Sequence, residues 1–160
     1  MIFTKTEIDG VIIIRPKVIK DDRGYFMEEF RQNVFDQEGG HIEFDTEYEL
    51  EAKQGSDFNP LSGCGDASVA FAKQTIRQQD FSTRDSASPA MLLRCVIGNA
   101  IVTVSDERKD SHTFGQQLSI ELSDSNNHFC FIPRGVSFSS LSVLSPKALL
   151  QFRCSQESGR

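Results

Sequence analysis

The sequence has no Trp, only two Tyr, three His and four Cys among its 160 residues, and each scarcity removes a class of chemistry. His41, His112 and His128 include no pair at a metal-ligand spacing on one strand or helix. His112 falls in a turn and His128 at a strand entry, so no metal site is expected. Cys64, Cys95, Cys130 and Cys154 show no C-x-x-C spacing, and three of them lie in apolar strand patterns, where a free Cys acts as a small hydrophobe. Reduced, structural thiols in a cytoplasmic protein are therefore expected. There is no Gly-x-Ser-x-Gly elbow and no Gly-rich loop leading into a helix to cradle phosphate. The N-terminus "MIFTKTEIDG" lacks the basic-then-apolar pattern of a signal peptide. No run approaches the ~20 apolar residues that cross a bilayer, so no membrane partner is expected. Acidic residues outnumber basic ones, 23 to 17, for a formal charge of −6. That balance argues against nucleic-acid binding, which needs a basic surface. It leaves room for a small phosphorylated ligand held by a few Arg residues.

What the chain does have is 13 Phe and a succession of β-branched runs. "GVIIIRPKVI" reads as strand punctuated by Pro16, and "RQNVFDQEG" as one or two helical turns ended by Gly39 and Gly40. "HIEFDTEYEL" sets Ile42, Phe44, Thr46 and Tyr48 against charged residues in a half-exposed strand. "VAFAKQTI", "MLLRCVIG", "AIVTVSDE", "QLSIELS", "HFCFIP", "VSFSSLSVL" and "ALLQFRC" follow, separated by turn signals such as Gly98-Asn99 and Pro133-Arg134-Gly135. Many short strands with almost no helix predict an all-β sandwich or barrel. The length fits one domain, residues 1–160. Residues 52–66, rich in Gly, Ser and Asn, read as a long loop.

Five Arg residues stand at strand edges: Arg15, Arg23, Arg77, Arg94 and Arg134. A guanidinium pointing into a barrel is costly unless it meets an anion. Arg15 and Arg134 are assigned to the solvated face, and Arg23, after two Asp and before a Gly, suits a local ion pair in a turn. The stretch "TIRQQDFS" at 75–82 is too polar on either face for a core, and is either a solvated edge or the wall of a polar pocket. Residue types alone reach a soluble all-β domain with a candidate anion-binding interior.

Three segments in order, "MIFTKTEIDGVIIIRPKVIKDDRGYFMEEF", "RCVIGNAIVTVSDERKDSHTFGQQLSIELS" and "FIPRGVSFSSLSVLS", resemble the dTDP-4-dehydrorhamnose 3,5-epimerase family. The first carries its D-x-R-G-x-F-x-E motif and the second its S-x-T-F-G turn. The resemblance implies a double-stranded β-helix, a cupin-type jelly-roll barrel. It also implies a homodimer that exchanges N-terminal strands, a dTDP-4-keto-6-deoxyhexose as substrate, and no metal or cofactor. In that chemistry the 4-ketone acidifies C3 and C5. A His removes each proton, and a Tyr on the other side of the ring acts as acid.

Carried over residue by residue, the resemblance puts the family's catalytic His on Asp80 and its catalytic Tyr on Phe152. Among the substrate-side positions, Arg23, Phe26, Glu28 and Arg77 match the family. Its Gln and Asn fall on Thr46 and Tyr48, its Lys on Met91, and a further His on Phe138. The same alignment makes residues 52–73 a loop insertion and ends the chain before the family's C-terminal segment. Arg77 and Asp80 have opposite parity, so a regular strand sends them to opposite faces. The expectation is a family member of dTDP-sugar metabolism that lacks 3,5-epimerase activity. Two alternatives stay open: an active enzyme on a related nucleotide-linked 4-keto-6-deoxyhexose, and a non-enzymatic sugar-binding or partner subunit.

Overall fold

In a computed structural model of the chain, residues 1–39, 42–54, 57–58 and 90–155 are described. They form twelve strands and one helix: β1 (Ile2–Lys5), β2 (Ile12–Arg15), β3 (Val18–Asp21), β4 (Gly24–Met27), α1 (Gln32–Gly39), β5 (Phe44–Lys53), β6 (Asp57–Phe58), β7 (Met91–Ile97), β8 (Asn99–Asp106), β9 (Gln117–Ser123), β10 (Phe129–Ile132), β11 (Val136–Val143) and β12 (Lys147–Ser155). A six-stranded sheet runs in the order β1-β2-β10-β7-β12-β5, and a four-stranded sheet in the order β6-β11-β8-β9. The hairpin β3–β4 forms a two-stranded sheet of its own. Every pairing is antiparallel.

The two larger sheets meet through one apolar cluster. Met91, Leu93 and Cys95 of β7, with Leu150, Phe152 and Cys154 of β12, face Val102, Val104, Ile120, Leu122 and Leu141 of the four-stranded sheet. The alternation read in "AIVTVSDE" is the physical cause: Ala100, Val102 and Val104 are buried, while Ile101, Thr103 and Ser105 are half-exposed. The six-stranded sheet is buried on its other face too. There Ile12, Ile14, Leu92, Phe129 and Phe131 lie under Phe35 of α1, with Phe30 and Phe44 packed beside them. Phe35 meets Phe131 edge-on at 5.0 Å between ring centroids and Phe44 at 5.5 Å, geometries that aromatic quadrupoles favour.

Two sequence expectations need correction. Ile42, Phe44, Thr46 and Tyr48 do not share one face. Ser155 pairs with Phe44 but Cys154 pairs with Thr46, so Asp45 is the extra residue of a bulge. Phe44 accordingly joins the outer cluster, while Tyr48 and Leu50 pack on the interior one. Arg134 is half-buried rather than solvated, and its Nη2 donates to Ser155 Oγ at 3.5 Å. Arg15 is exposed, as its strand pattern predicts.

One end of the molecule is tied by the Asp106 carboxylate, which is fully buried. Its Oδ1 accepts from Arg108 Nε at 2.8 Å and from the Arg108 amide at 3.0 Å. Its Oδ2 accepts from Ser111 Oγ at 2.8 Å, Arg108 Nη2 at 2.9 Å and Thr113 Oγ1 at 2.5 Å. Arg108 Nη2 also donates to the Asp9 carbonyl at 2.6 Å, linking this turn to the start of the chain. Gly135 has φ +92°, and a Cβ there would stand 2.5 Å from Arg108 Cγ, so the β10–β11 turn closes against the same side chain. The Arg108 guanidinium, chiefly, holds the Asp106 carboxyl well below the usual carboxylate range. Burial opposes it, and Thr113, the Arg108 amide and Ser111 reinforce it.

A group whose folded pKa is depressed stabilises the fold above its unfolded value, near ~4, and loses that contribution as pH falls further. Equilibrium urea unfolding should therefore show stability declining below about pH 4. Asp106→Ala, which strands the half-buried Arg108, should cost about 3–5 kcal/mol at neutral pH and flatten that acid decline.

Candidate functional site

The interior end of the six-stranded sheet gathers four of the positions singled out by the sequence. Phe152 stands opposite Tyr48 on β5 and opposite Leu93 on β7. Cys154, two residues on and so on the same face, stands opposite Thr46 on β5 and Met91 on β7. Two adjacent cross-strand rows, Tyr48–Phe152–Leu93 and Thr46–Cys154–Met91, thus lie side by side in this sheet. Phe138, on β11 of the facing sheet, is half-buried and packs on the same cluster. The β11 register shifts between Phe138 and Ser140, so a bulge sits beside it.

Tyr48, Leu93, Met91, Phe152 and Cys154 of these rows pack in the apolar interior cluster. Met91 is 2% exposed and Phe152 3%. The Tyr48 and Phe152 rings lie 5.6 Å apart between centroids, tilted by 38°, and the Tyr48 hydroxyl is shielded from solvent. Burial pushes the Cys95 thiol up to about 11 and the Cys130 thiol up to about 12. Neither is a thiolate at neutral pH, so neither is a nucleophile. Among the described residues no group of three or more His, Cys, Asp or Glu is arranged to hold a metal ion. Nor is any helix there long and apolar enough to cross a membrane.

Arg23, Phe26 and Glu28 stand elsewhere. The hairpin β3–β4 projects Arg23 and Phe26 outward, with Arg23 86% exposed in its side chain and Phe26 72% exposed, and Glu28 follows the hairpin directly. Arg23 forms the turn ion pair that its spacing suggested. Its Nη2 lies 2.5 Å from Asp21 Oδ2, and its amide donates to Asp21 Oδ1 at 2.8 Å. The Arg23 side chain, chiefly, lowers the Asp21 pKa, yet so exposed a pair adds little stability. Glu28 is held by Arg31, whose Nη2 lies 2.6 Å away and whose Nε contacts both carboxylate oxygens at 3.1 Å. Met27, at the end of β4, packs on the outer aromatic cluster. The hairpin therefore leaves from the outer face of the six-stranded sheet, opposite the face that carries Phe152.

Arg77 and Asp80, together with Cys64, His41 and most of the 52–73 loop, lie outside the described residues. Sequence reasoning missed the direct stacking of Tyr48 on Phe152. Both face the interior and their strands are neighbours, but strand adjacency was not readable without the topology. It also passed over Glu29, which the structure sets against Arg94 at 3.4 Å.

Two antiparallel sheets closed on a shared apolar interior, with little helix, define a jelly-roll barrel of the cupin type. The chain belongs to the dTDP-4-dehydrorhamnose 3,5-epimerase family, whose sequence profile matches residues 5–57 and 62–158. A dTDP-4-dehydrorhamnose 3,5-epimerase of Methanothermobacter thermautotrophicus is 30% identical over 154 residues, covering 96% of this chain and 71% of that protein. The crystal structure of the Elizabethkingia anophelis dTDP-4-dehydrorhamnose 3,5-epimerase superposes with a TM-score of 0.77 at 25% identity, covering 98% of this chain and 74% of that one. A 3,5-epimerase of Legionella pneumophila, solved in complex with dTDP-4-keto-L-rhamnose, gives a TM-score of 0.76 at 23% identity, with 96% and 71% coverage.

Proposed function

We propose that this protein is a dTDP-sugar-binding barrel of the epimerase family that does not carry out 3,5-epimerisation. The observation that carries the proposal is Phe152. It occupies the place that the resemblance gives to the family's acid, it has no hydroxyl, and it is sealed against Tyr48 inside the core. A phenyl ring cannot deliver a proton to an enolate. Met91 at the Lys position and Phe138 at a His position extend the same change from polar to apolar. The resemblance also puts Asp80 at the base position. An Asp of ordinary pKa, near ~4, is a weak base for a proton beside a ketone.

Binding is the function these losses leave. Arg23 and Arg77 are suited to a diphosphate, with Phe26 beside Arg23 on the hairpin and Glu28 just after it. Arg23 and Phe26 leave from one face of the six-stranded sheet, while Phe152, Tyr48 and Met91 line the other. Both sets reach one ligand only if the hairpin of one copy meets the barrel of another. Ile19, Tyr25 and Phe26 offer that hairpin an exposed apolar surface. The reading is thus a homodimer exchanging N-terminal strands and working on dTDP-sugars in the cytoplasm, without metal or cofactor.

Incubation with a dTDP-4-keto-6-deoxyhexose in deuterated water should leave C3 and C5 unlabelled beyond the buffer rate. General acid–base catalysis is worth about 10²–10⁴-fold, so a surviving base and acid would be evident. Deuterium at either carbon would overturn the proposal and favour an active enzyme on a related keto-sugar. Calorimetry with dTDP alone should show saturable binding that Arg77→Ala weakens by about tenfold or more, the loss expected for a charge-assisted contact. Absence of heat at millimolar dTDP would remove the nucleotide from the account.

A further inference from the structure

Arg94 is a charged residue in a place that packing alone would give to a hydrophobe. Its neighbours along β7 alternate, Met91, Leu93 and Cys95 to the interior and Leu92 to the outer cluster, so Arg94 points outward with Leu92. It is only 4% exposed, its guanidinium carbon sits 5.2 Å over the centre of the Phe129 ring, and its Nε has no acceptor. Among the described residues its one ion-pair partner is Glu29, at 3.4 Å and 46% exposed. A buried guanidinium so thinly paired is poor value for stability, because desolvation offsets most of what a single loose carboxylate returns. Its position has to be explained by what it holds.

Glu29 belongs to the short segment 28–31 between the hairpin β3–β4 and helix α1. The outer face grips that segment twice. Arg94 takes Glu29, and Arg153 on the neighbouring strand β12 lies 5.0 Å over the Phe30 ring while pairing with Glu47 at 2.8 Å. Two residues before Glu29 the chain is already in β4, whose side chains Tyr25 and Phe26 are exposed. The direction in which the hairpin leaves the barrel is therefore set at Glu29 and Phe30, and of the two grips only Arg94 is a charge taken out of water.

We propose that Arg94 is a positioning residue: through Glu29 it fixes the exit direction of the hairpin, and with it the placement of Arg23, Phe26 and Glu28 against a nucleoside diphosphate. The second half of this proposal rests on the binding function proposed above; the first half does not. Hydrogen–deuterium exchange on the ligand-free protein separates the two. In Glu29→Ala, a half-exposed change that leaves the core intact, and in Arg94→Met, which refills the buried site with an apolar chain, amides of residues 18–27 should exchange about tenfold faster. Amides of β7 and β12 should keep their protection, which a general loss of stability would not allow. Unchanged hairpin exchange in both variants would overturn the positioning role. In dTDP titrations the same variants should bind about tenfold more weakly than the unaltered chain. Equal affinity despite a loosened hairpin would break the link to the ligand. If the unaltered chain itself fails to bind dTDP, the functional reading falls while the exchange result still decides the role of Arg94.

Discussion

The centre of the six-stranded sheet is buried on both faces, and this constraint orders much else in the molecule. From Met91 to Cys95 on β7 and from Leu150 to Cys154 on β12 side chains alternate, so successive residues face the barrel interior and the outer face in turn. Met91, Phe152 and Tyr48 fall to the interior, whereas Leu92, Arg94 and Phe131 fall outside. The hairpin carrying Arg23 and Phe26 departs from the outer side, where Met27 anchors it. A single chain thus presents Arg23 and Phe26 of the hairpin and Met91, Phe152 and Tyr48 of the interior on opposite sides of one sheet. The proposed second copy answers to that geometry.

The same constraint explains why the interior positions matter so much. A side chain at Phe152 has no route to solvent, so a polar group there needs a ligand or a partner to meet it, and an apolar group contributes to the core. Burying a large apolar side chain at such a site is worth about 1.5–3 kcal/mol each. On the proposed reading, Met91 and Phe152 gain this stabilisation where the family's Lys and Tyr would hold and protonate a sugar. That is the usual direction of the exchange between stability and chemistry. The Asp106–Arg108 tie at the other end of β8 is independent of it, since every oxygen of that carboxylate is satisfied by the protein itself.

Much of this architecture was legible in the residues. The apolar alternation of β8, the break at Pro16, the helix ending at Gly39 and the burial of Cys95, Cys130 and Cys154 all follow from local pattern. What local pattern could not supply was any fact that depends on a neighbour distant in sequence. The Asp45 bulge exists because β12 pairs with β5 in a shifted register, and nothing in "HIEFDTEYEL" announces it. Arg134 read as a surface residue because its contact with Ser155 lies across the chain turn. Arg94, read from the sequence as one of the Arg residues at strand edges, stands in the middle of β7, and the carboxylate that meets it comes from residue 29. For the site, the resemblance brought attention to Phe152, Tyr48 and Met91 together, and the register then placed them in adjoining rows.

On the proposed function, the acid and base of the family's reaction are what this barrel lacks. The most direct test is to restore them, with Asp80→His and Phe152→Tyr combined, and to follow solvent deuterium into C3 and C5 of a dTDP-4-keto-6-deoxyhexose beside the unaltered chain. Incorporation is expected with the double variant and none with the unaltered protein. Incorporation by the unaltered protein, or a folded, dTDP-binding double variant that incorporates nothing, would contradict it.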